Sequence, residues 1–250
     1  MSSTAIDQHD AVNSTPKLMK IMIVGDSISH GHEGDWTWRY RIWQWFRREC
    51  VPAAFVGPYW GTVPPEKPPE GPPRLRPPPL EHGPGITKEL EESQPETETA
   101  VVAVVEGGYA RGVSPDFLLS DQSGCNHFSV WGRQARQAKE LVAEQVAKYQ
   151  PDMLLIELGF NDIAWWVGGP VETLANVKEL IDEARAAVRG NVKFAVANVP
   201  NRTSIPGRED LVMNTKIYNI MLETAIPSWS TPESPVALVR FCEEYSCKSL

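Results

Sequence analysis

Lys20-Ile-Met-Ile-Val-Gly-Asp-Ser-Ile28 is the stretch on which the fold turns. Lys20–Val24 is a short apolar run with β-branched residues, and Gly25 ends it, the pattern of a buried strand. The same pattern recurs at Met153-Leu-Leu-Ile-Glu-Leu158, at Val192–Val199 and at Val236–Phe241. Phe55-Val-Gly57 ends a further short strand. Between the runs the apolar period changes to that of a helix. Residues 133–149 place Ala135, Ala138, Leu141, Val142 and Val146 on one face and stop at Pro151. Val171–Arg189 repeats the pattern with Leu174, Val177, Leu180, Ile181, Ala184 and Val188, and Leu211–Ala225 is a third helix. A further helix is predicted from Asp35, its N-cap, to Arg48, with Trp36, Tyr40, Trp43 and Arg47 at helical spacing. Strands alternating with helices imply βαβ units, hence an α/β fold with a parallel sheet and helices on both faces. In such sheets ligands sit beyond the carboxyl ends of the strands.

Composition narrows the classes further. The 250 residues are 42% hydrophobic and 22% charged, enough to fill a core. With 32 acidic and 24 basic residues the net charge is -8, which argues against nucleic acid or an anionic membrane surface as partner. Every apolar run is far shorter than the roughly 20 residues of a membrane span. Residues 1–17 read as a polar tail with no leader, so the chain as it stands is expected to be intracellular. Cys50, Cys125, Cys242 and Cys247 are too scattered for a disulfide scaffold, and no metal or cofactor site is predicted.

Eleven of the 22 prolines fall between Pro58 and Pro84. Proline removes an amide donor and restricts its predecessor, so residues 58–99 are expected to form an extended surface insertion within one domain spanning 18–250. Its PxxP-like pieces could meet an aromatic groove on a protein partner, although a tolerated loop is the simpler reading.

The strand ends carry the chemistry. Gly25-Asp26-Ser27 follows the first strand, Gly159-Phe160-Asn161-Asp162 follows the strand ending at Leu158, and Pro200-Asn201-Arg202 follows Val199. A serine in a tight strand-to-helix turn presents its hydroxyl to the cleft. An asparagine on a neighbouring strand end can donate its side-chain NH to the same point. Nucleophilic attack on an ester needs such donors for the oxyanion. Asp26 and Asp162 read as structural, Asp162 as a turn-former bonding nearby amides.

The two motifs together resemble the first and third blocks of the SGNH (GDSL-type) hydrolases, flavodoxin-like serine esterases and lipases. Ile21-Met-Ile-Val-Gly-Asp-Ser-Ile-Ser-His-Gly31 matches the opening block, and Leu154-Leu-Ile-Glu-Leu-Gly-Phe-Asn-Asp162 matches the Gly-x-Asn-Asp block. The family's second block is one glycine. Gly132 holds that place, with Gly124 as its competitor. The resemblance covers about 18–241 and implies a three-layer flavodoxin-like sheet. It implies Ser27 as nucleophile, and an oxyanion hole made by the Ser27 NH, the Gly132 NH and the Asn161 side chain. It implies short-chain acyl esters, among them acetyl groups on carbohydrate, as substrates, and it requires no cofactor. Many such relatives are exported.

The family's fourth block, Asp-x-x-His, has no counterpart. His9, His30, His32, His82 and His127 all precede residue 128, and only nine residues follow Phe241. A serine hydroxyl without a base is a poor nucleophile. The expectation is therefore a C-terminally incomplete chain, or a weak or inactive relative that binds glycan in an SGNH-like cleft. His30 and His32 lie near Ser27 in sequence. His127, Trp165 and Trp166 are candidates for lining the substrate site, while core packing is the competing role for the tryptophans.

Overall fold

The computed structural model describes residues 17–62, 105–119, 124–165 and 168–244. In chain order it has β1 (Met19–Gly25), α1 (Ser27–His30), α2 (Trp38–Arg48), β2 (Ala53–Val56) and β3 (Tyr59–Trp60). There follow α3 (Pro115–Leu118), β4 (Asn126–Ser129), α4 (Ala135–Tyr149), β5 (Met153–Glu157), α5 (Phe160–Ala164) and α6 (Pro170–Ala187). The last are β6 (Lys193–Ala197), α7 (Asp210–Trp229), β7 (Val236–Val239) and α8 (Phe241–Glu244).

The strands form one sheet in the order β3-β4-β1-β5-β6-β7, with β2 also paired to β1. β2 takes the Met19–Met22 part of β1 and β4 takes Val24–Gly25, so the two share one side of it. All pairings are parallel except β3 with β4, where Tyr59 faces His127. Beyond β1 the chain turns first to β2 on one side and later to β5 on the other. This change of direction opens a crevice at the carboxyl ends of β1 and β5.

Alternation along the strands builds two cores. Met22, Val24, Leu154, Ile156, Phe194 and Val196 face Val142, Val146, Leu180, Ile181 and Leu222 of the helices α4, α6 and α7. Ile21, Ile23 and Phe55 point the other way and pack on Tyr40, Trp43 and Phe46 of α2, with Tyr109 and Phe117. Toward β5–β7 this second face lines a groove of about 230 Å³ between Trp38, Ile42, Leu155, Ala195, Ala197, Val239 and Phe241. Among the described residues no helix is long and apolar enough to cross a membrane.

Three local expectations change. The α2 helix starts at Trp38, capped by Thr37, whose hydroxyl accepts the Tyr40 amide at 3.3 Å. Asp35 instead accepts the His32 amide at 2.7 Å, and Trp36 lies ahead of the helix. The α7 helix runs past Ala225 through Pro227, because a proline in the final turn costs only one backbone bond. Tyr59–Trp60, placed in the proline-rich insertion by composition, is an edge strand on β4. The remainder of that insertion, 63–99, lies outside the described residues.

Candidate active site

The β1 strand delivers the chain into a turn that only glycine can start. A Cβ on Gly25 would sit 2.4 Å from Ser29 Oγ and 3.1 Å from the Glu157 carbonyl oxygen. Asp26 then caps α1, its Oδ1 accepting the Ile28 amide at 2.9 Å. Ser27 is the first residue of α1 and is half-buried, whereas Asp26, Ser29 and His30 on either side of it are buried.

Asn161 sits in α5, just past the end of β5. Its Nδ2 donates to Asp26 Oδ2 at 3.0 Å and to the Arg133 carbonyl at 3.2 Å, while its Oδ1 accepts from Trp165 Nε1 at 3.1 Å. One carboxamide thus ties the turn holding Ser27 to the loop after β4. That loop is anchored to β1 by the Val130 amide on the Gly25 carbonyl at 3.2 Å. Gly132 is in this loop, half-buried, with φ +74°, a backbone angle that favours glycine. Gly124 precedes β4 and so lies at the other end of that strand.

Asp26 is structural as expected, but it also holds Asn161. Asp162 bonds its own amide and two that are near in space but distant in sequence: its Oδ2 accepts the Ala135 amide at 2.9 Å and its Oδ1 the Arg136 amide at 3.4 Å. The first turn of α4 has amides without helical partners, and a carboxylate across the chain supplies them. Burial pushes both carboxyls up to about 6, against the lowering effect of these amide hydrogen bonds.

A raised value means that the folded state holds the Asp162 proton more tightly than the unfolded chain does. Its stabilising share is complete below about pH 4 and is lost as pH rises through about 6. Asp162→Asn, which keeps an acceptor for the α4 amides, should therefore gain stability relative to wild type between pH 4.5 and 7. Urea midpoints of the two proteins at both pH values check this; a constant difference would contradict it.

Three arginines complete the site, and composition alone does not single them out. Arg39, fully buried, donates to the carbonyls of Ser29 (2.7 Å), His30 (2.9 Å), Gly61 (2.8 Å) and Cys125 (2.9 Å). It pins the segment after Ser27 to β3 and β4. Arg202 stacks on the Phe160 ring, 3.3 Å from its centroid, and donates to the Phe160 carbonyl. Arg208 donates to the carbonyls of Ile163, at 3.1 Å, and Ala164. Both hold α5, and with it Asn161, from the loop after β6. Arg202 was within reach of sequence reasoning, since it follows a strand end.

The remaining candidates separate. His127 is in β4, not in a loop, and is fully buried. Its Nε2 meets the Gly61 carbonyl at 3.0 Å and its Nδ1 accepts the Ser129 amide at 3.1 Å, so its polar atoms are used inside the protein. Burial pushes it well below the usual histidine range. His30 is buried against it, ring centroids 5.0 Å apart. His32 is exposed and lies 5.6 Å from the Trp131 ring. Trp165 is half-buried against Asn161, and Trp166 lies outside the described residues.

The fold has relatives among solved structures. A carbohydrate esterase family 3 protein from Talaromyces cellulolyticus shares 19% identity over 88% of this chain and 78% of its own, with a TM-score of 0.55. A family 3 carbohydrate esterase from Clostridium thermocellum shares 18% over 91% and 80%, with a TM-score of 0.54. AlinE4, an SGNH-hydrolase family esterase, shares 13% over 94% and 83%, with a TM-score of 0.50. Among curated proteins none matches the chain in sequence. The model of the GDSL-like lipase/acylhydrolase family matches residues 21–248. A match over nearly the whole length, on a sheet of the same architecture as these esterases, makes this chain a member of the GDSL-like lipase/acylhydrolase family.

Proposed function

We propose that the chain is a serine ester hydrolase for short-chain acyl esters, with acetylated carbohydrate as the substrate class. The observation that carries this reading is the Asn161 carboxamide, which joins the Asp26–Ser27 turn to the Gly132–Arg133 loop. The carbohydrate esterase neighbours support the substrate class. Ser27 Oγ adds to the acyl carbonyl carbon as its proton passes to solvent water, which later returns one to the departing alcohol oxygen. The carbonyl oxygen takes the negative charge and is met by the amides of Ser27 and Gly132 and by Asn161 Nδ2. The Asn161 N–H now on the Arg133 carbonyl, the longer of its two bonds, is the one that turns to the oxyanion. Collapse expels the alcohol, and water then releases the acid from Ser27.

The histidines of this sequence all precede residue 128, and the family's Asp-x-x-His is not among its 250 residues. Losing the histidine of one serine-protease triad costs about 10⁶ in turnover. Turnover by this chain is accordingly slow yet dependent on Ser27. Hydrolysis of p-nitrophenyl acetate and of an acetylated oligosaccharide should be faster with wild type than with Ser27→Ala. Equal rates, together with quenching of tryptophan fluorescence by the oligosaccharide, would replace this reading with a non-catalytic glycan-binding one.

A further inference from the structure

A second carboxyl lies directly behind the nucleophile turn, and the mechanism above does not use it. Glu157 ends β5, opposite Gly25 of β1, and is 5% exposed. Its Oε2 accepts the Ser29 hydroxyl at 2.9 Å, and that hydroxyl in turn accepts Trp38 Nε1 at 3.2 Å. Glu157 also shares a side-chain hydrogen bond with Asp26. A continuous chain therefore runs from Trp38 through Ser29, Glu157, Asp26 and Asn161 to Trp165.

The donors around the pair leave room for one proton between the two carboxyls. Asp26 is surrounded by donors: the Ile28 amide on Oδ1 and Asn161 Nδ2 on Oδ2. Two carboxyls in hydrogen-bond contact need one proton between them. Glu157 likewise accepts twice, from the Ser29 hydroxyl and the Asp26 backbone amide, so the two carboxyls share that one proton. We propose that Glu157 is a positioning residue: through the proton it shares with Asp26 it fixes the acceptor that aims the Asn161 carboxamide at the substrate oxygen. The role in catalysis rests on the esterase reading; the hydrogen-bond arrangement does not.

Electrostatics agree. Burial, and after it the charge of Asp26, push Glu157 well above the usual carboxylate range. Around the pair stand Asp162 of α5 and Arg202 of the loop after β6, both acting on Asp26, and Tyr218 of α7, which burial raises first and the charges of Asp162 and Glu157 raise further. Asp26 and Asp162 are raised to about 6 and Glu157 well above the usual carboxylate range, so the proton of this cluster is held into the neutral range.

Glu157→Gln keeps both bonds, since its amide NH donates to Asp26 and its carbonyl accepts from Ser29. Glu157→Leu keeps neither. Infrared difference spectra just above pH 6 should show the carbonyl stretch of a protonated carboxylic acid in wild type and its loss in Glu157→Gln. The side-chain amide signals of Asn161 in ¹⁵N NMR should be unchanged in Glu157→Gln and displaced in Glu157→Leu. Ser27-dependent ester hydrolysis should stay within about twofold in Glu157→Gln, and in Glu157→Leu fall about tenfold in kcat with KM little changed, as expected for an interaction made only in the transition state. The proposal is overturned if Glu157→Gln loses no protonated-acid band, or if Glu157→Leu leaves the Asn161 signals in place. If Glu157→Leu does not fold, the infrared comparison still decides. Absence of Ser27-dependent hydrolysis in wild type would remove the esterase reading and leave the spectroscopic outcomes to decide the Glu157–Asp26–Asn161 arrangement.

Discussion

Asn161→Ala is expected to lower Ser27-dependent ester hydrolysis by about 10²–10³ in kcat, with KM changed much less. Removing one side-chain donor from an oxyanion hole costs about that much where it has been measured, because the donor acts where charge develops and not on the bound substrate. Asn161 is set up for this. Its carboxamide is 7% exposed, its oxygen is held by Trp165, and its nitrogen is held by Asp26 and Arg133. The Asp26 and Trp165 bonds keep the carboxamide in place when the N–H on Arg133 is redirected to the oxyanion. Asn161→Asp is the sharper control: it keeps the shape but presents acceptors where donors are required, and should be at least as slow as alanine. Steady-state kinetics on p-nitrophenyl acetate with all three proteins checks this. A loss confined to KM would assign Asn161 to substrate binding.

Arg39→Met should destabilise the fold by about 4 kcal/mol or more, enough to remove much of the marginal stability of a domain this size. The guanidinium satisfies four main-chain carbonyls in a place with no solvent access. Methionine fills similar space and satisfies none of them, and each buried acceptor left without a donor costs about 1–3 kcal/mol. Arg39→Lys should recover only part of the loss, since an ammonium lacks the planar fork that reaches both sides of the segment. Urea unfolding followed by tryptophan fluorescence measures the difference. A loss below about 1 kcal/mol would show that the carbonyls find other donors.

The effect would extend to the site. Arg39 touches the Ser29 and His30 carbonyls, two and three residues beyond the proposed nucleophile. Stability and the geometry of the turn at Ser27 are thus held by the same side chain.

What could be read beforehand follows from range. Ile21–Val24 and Leu154–Ile156 announce themselves because buried parallel strands are apolar on both faces, and the glycines at 25 and 159 mark their ends. Ser27 and Asn161 sit at those ends, so their convergence could be anticipated from local pattern together with the rule for doubly wound sheets. The β4 strand was hidden because Asn126-His-Phe-Ser129 is half polar, and its His127 is buried only through long-range bonds to Gly61 and within the strand end. Tyr59–Trp60 was hidden by the prolines beside it. The cap that Asp162 supplies reaches 26–27 residues back along the chain, and the Arg39 clamp reaches 86 residues to Cys125. No window of sequence contains such a pair. Glu157 stands within the predicted strand, and its role depends on the Gly25–Asp26 turn lying across the sheet from it.

The most direct test of the account is covalent capture at Ser27. The purified chain is incubated with a fluorophosphonate, digested and mapped by mass spectrometry, with Ser27→Ala and Asn161→Ala treated alongside. The account predicts one phosphonylated peptide, spanning Ser27, absent in Ser27→Ala and formed much more slowly in Asn161→Ala. Modification that is indifferent to both substitutions, or that maps to another serine, would contradict it.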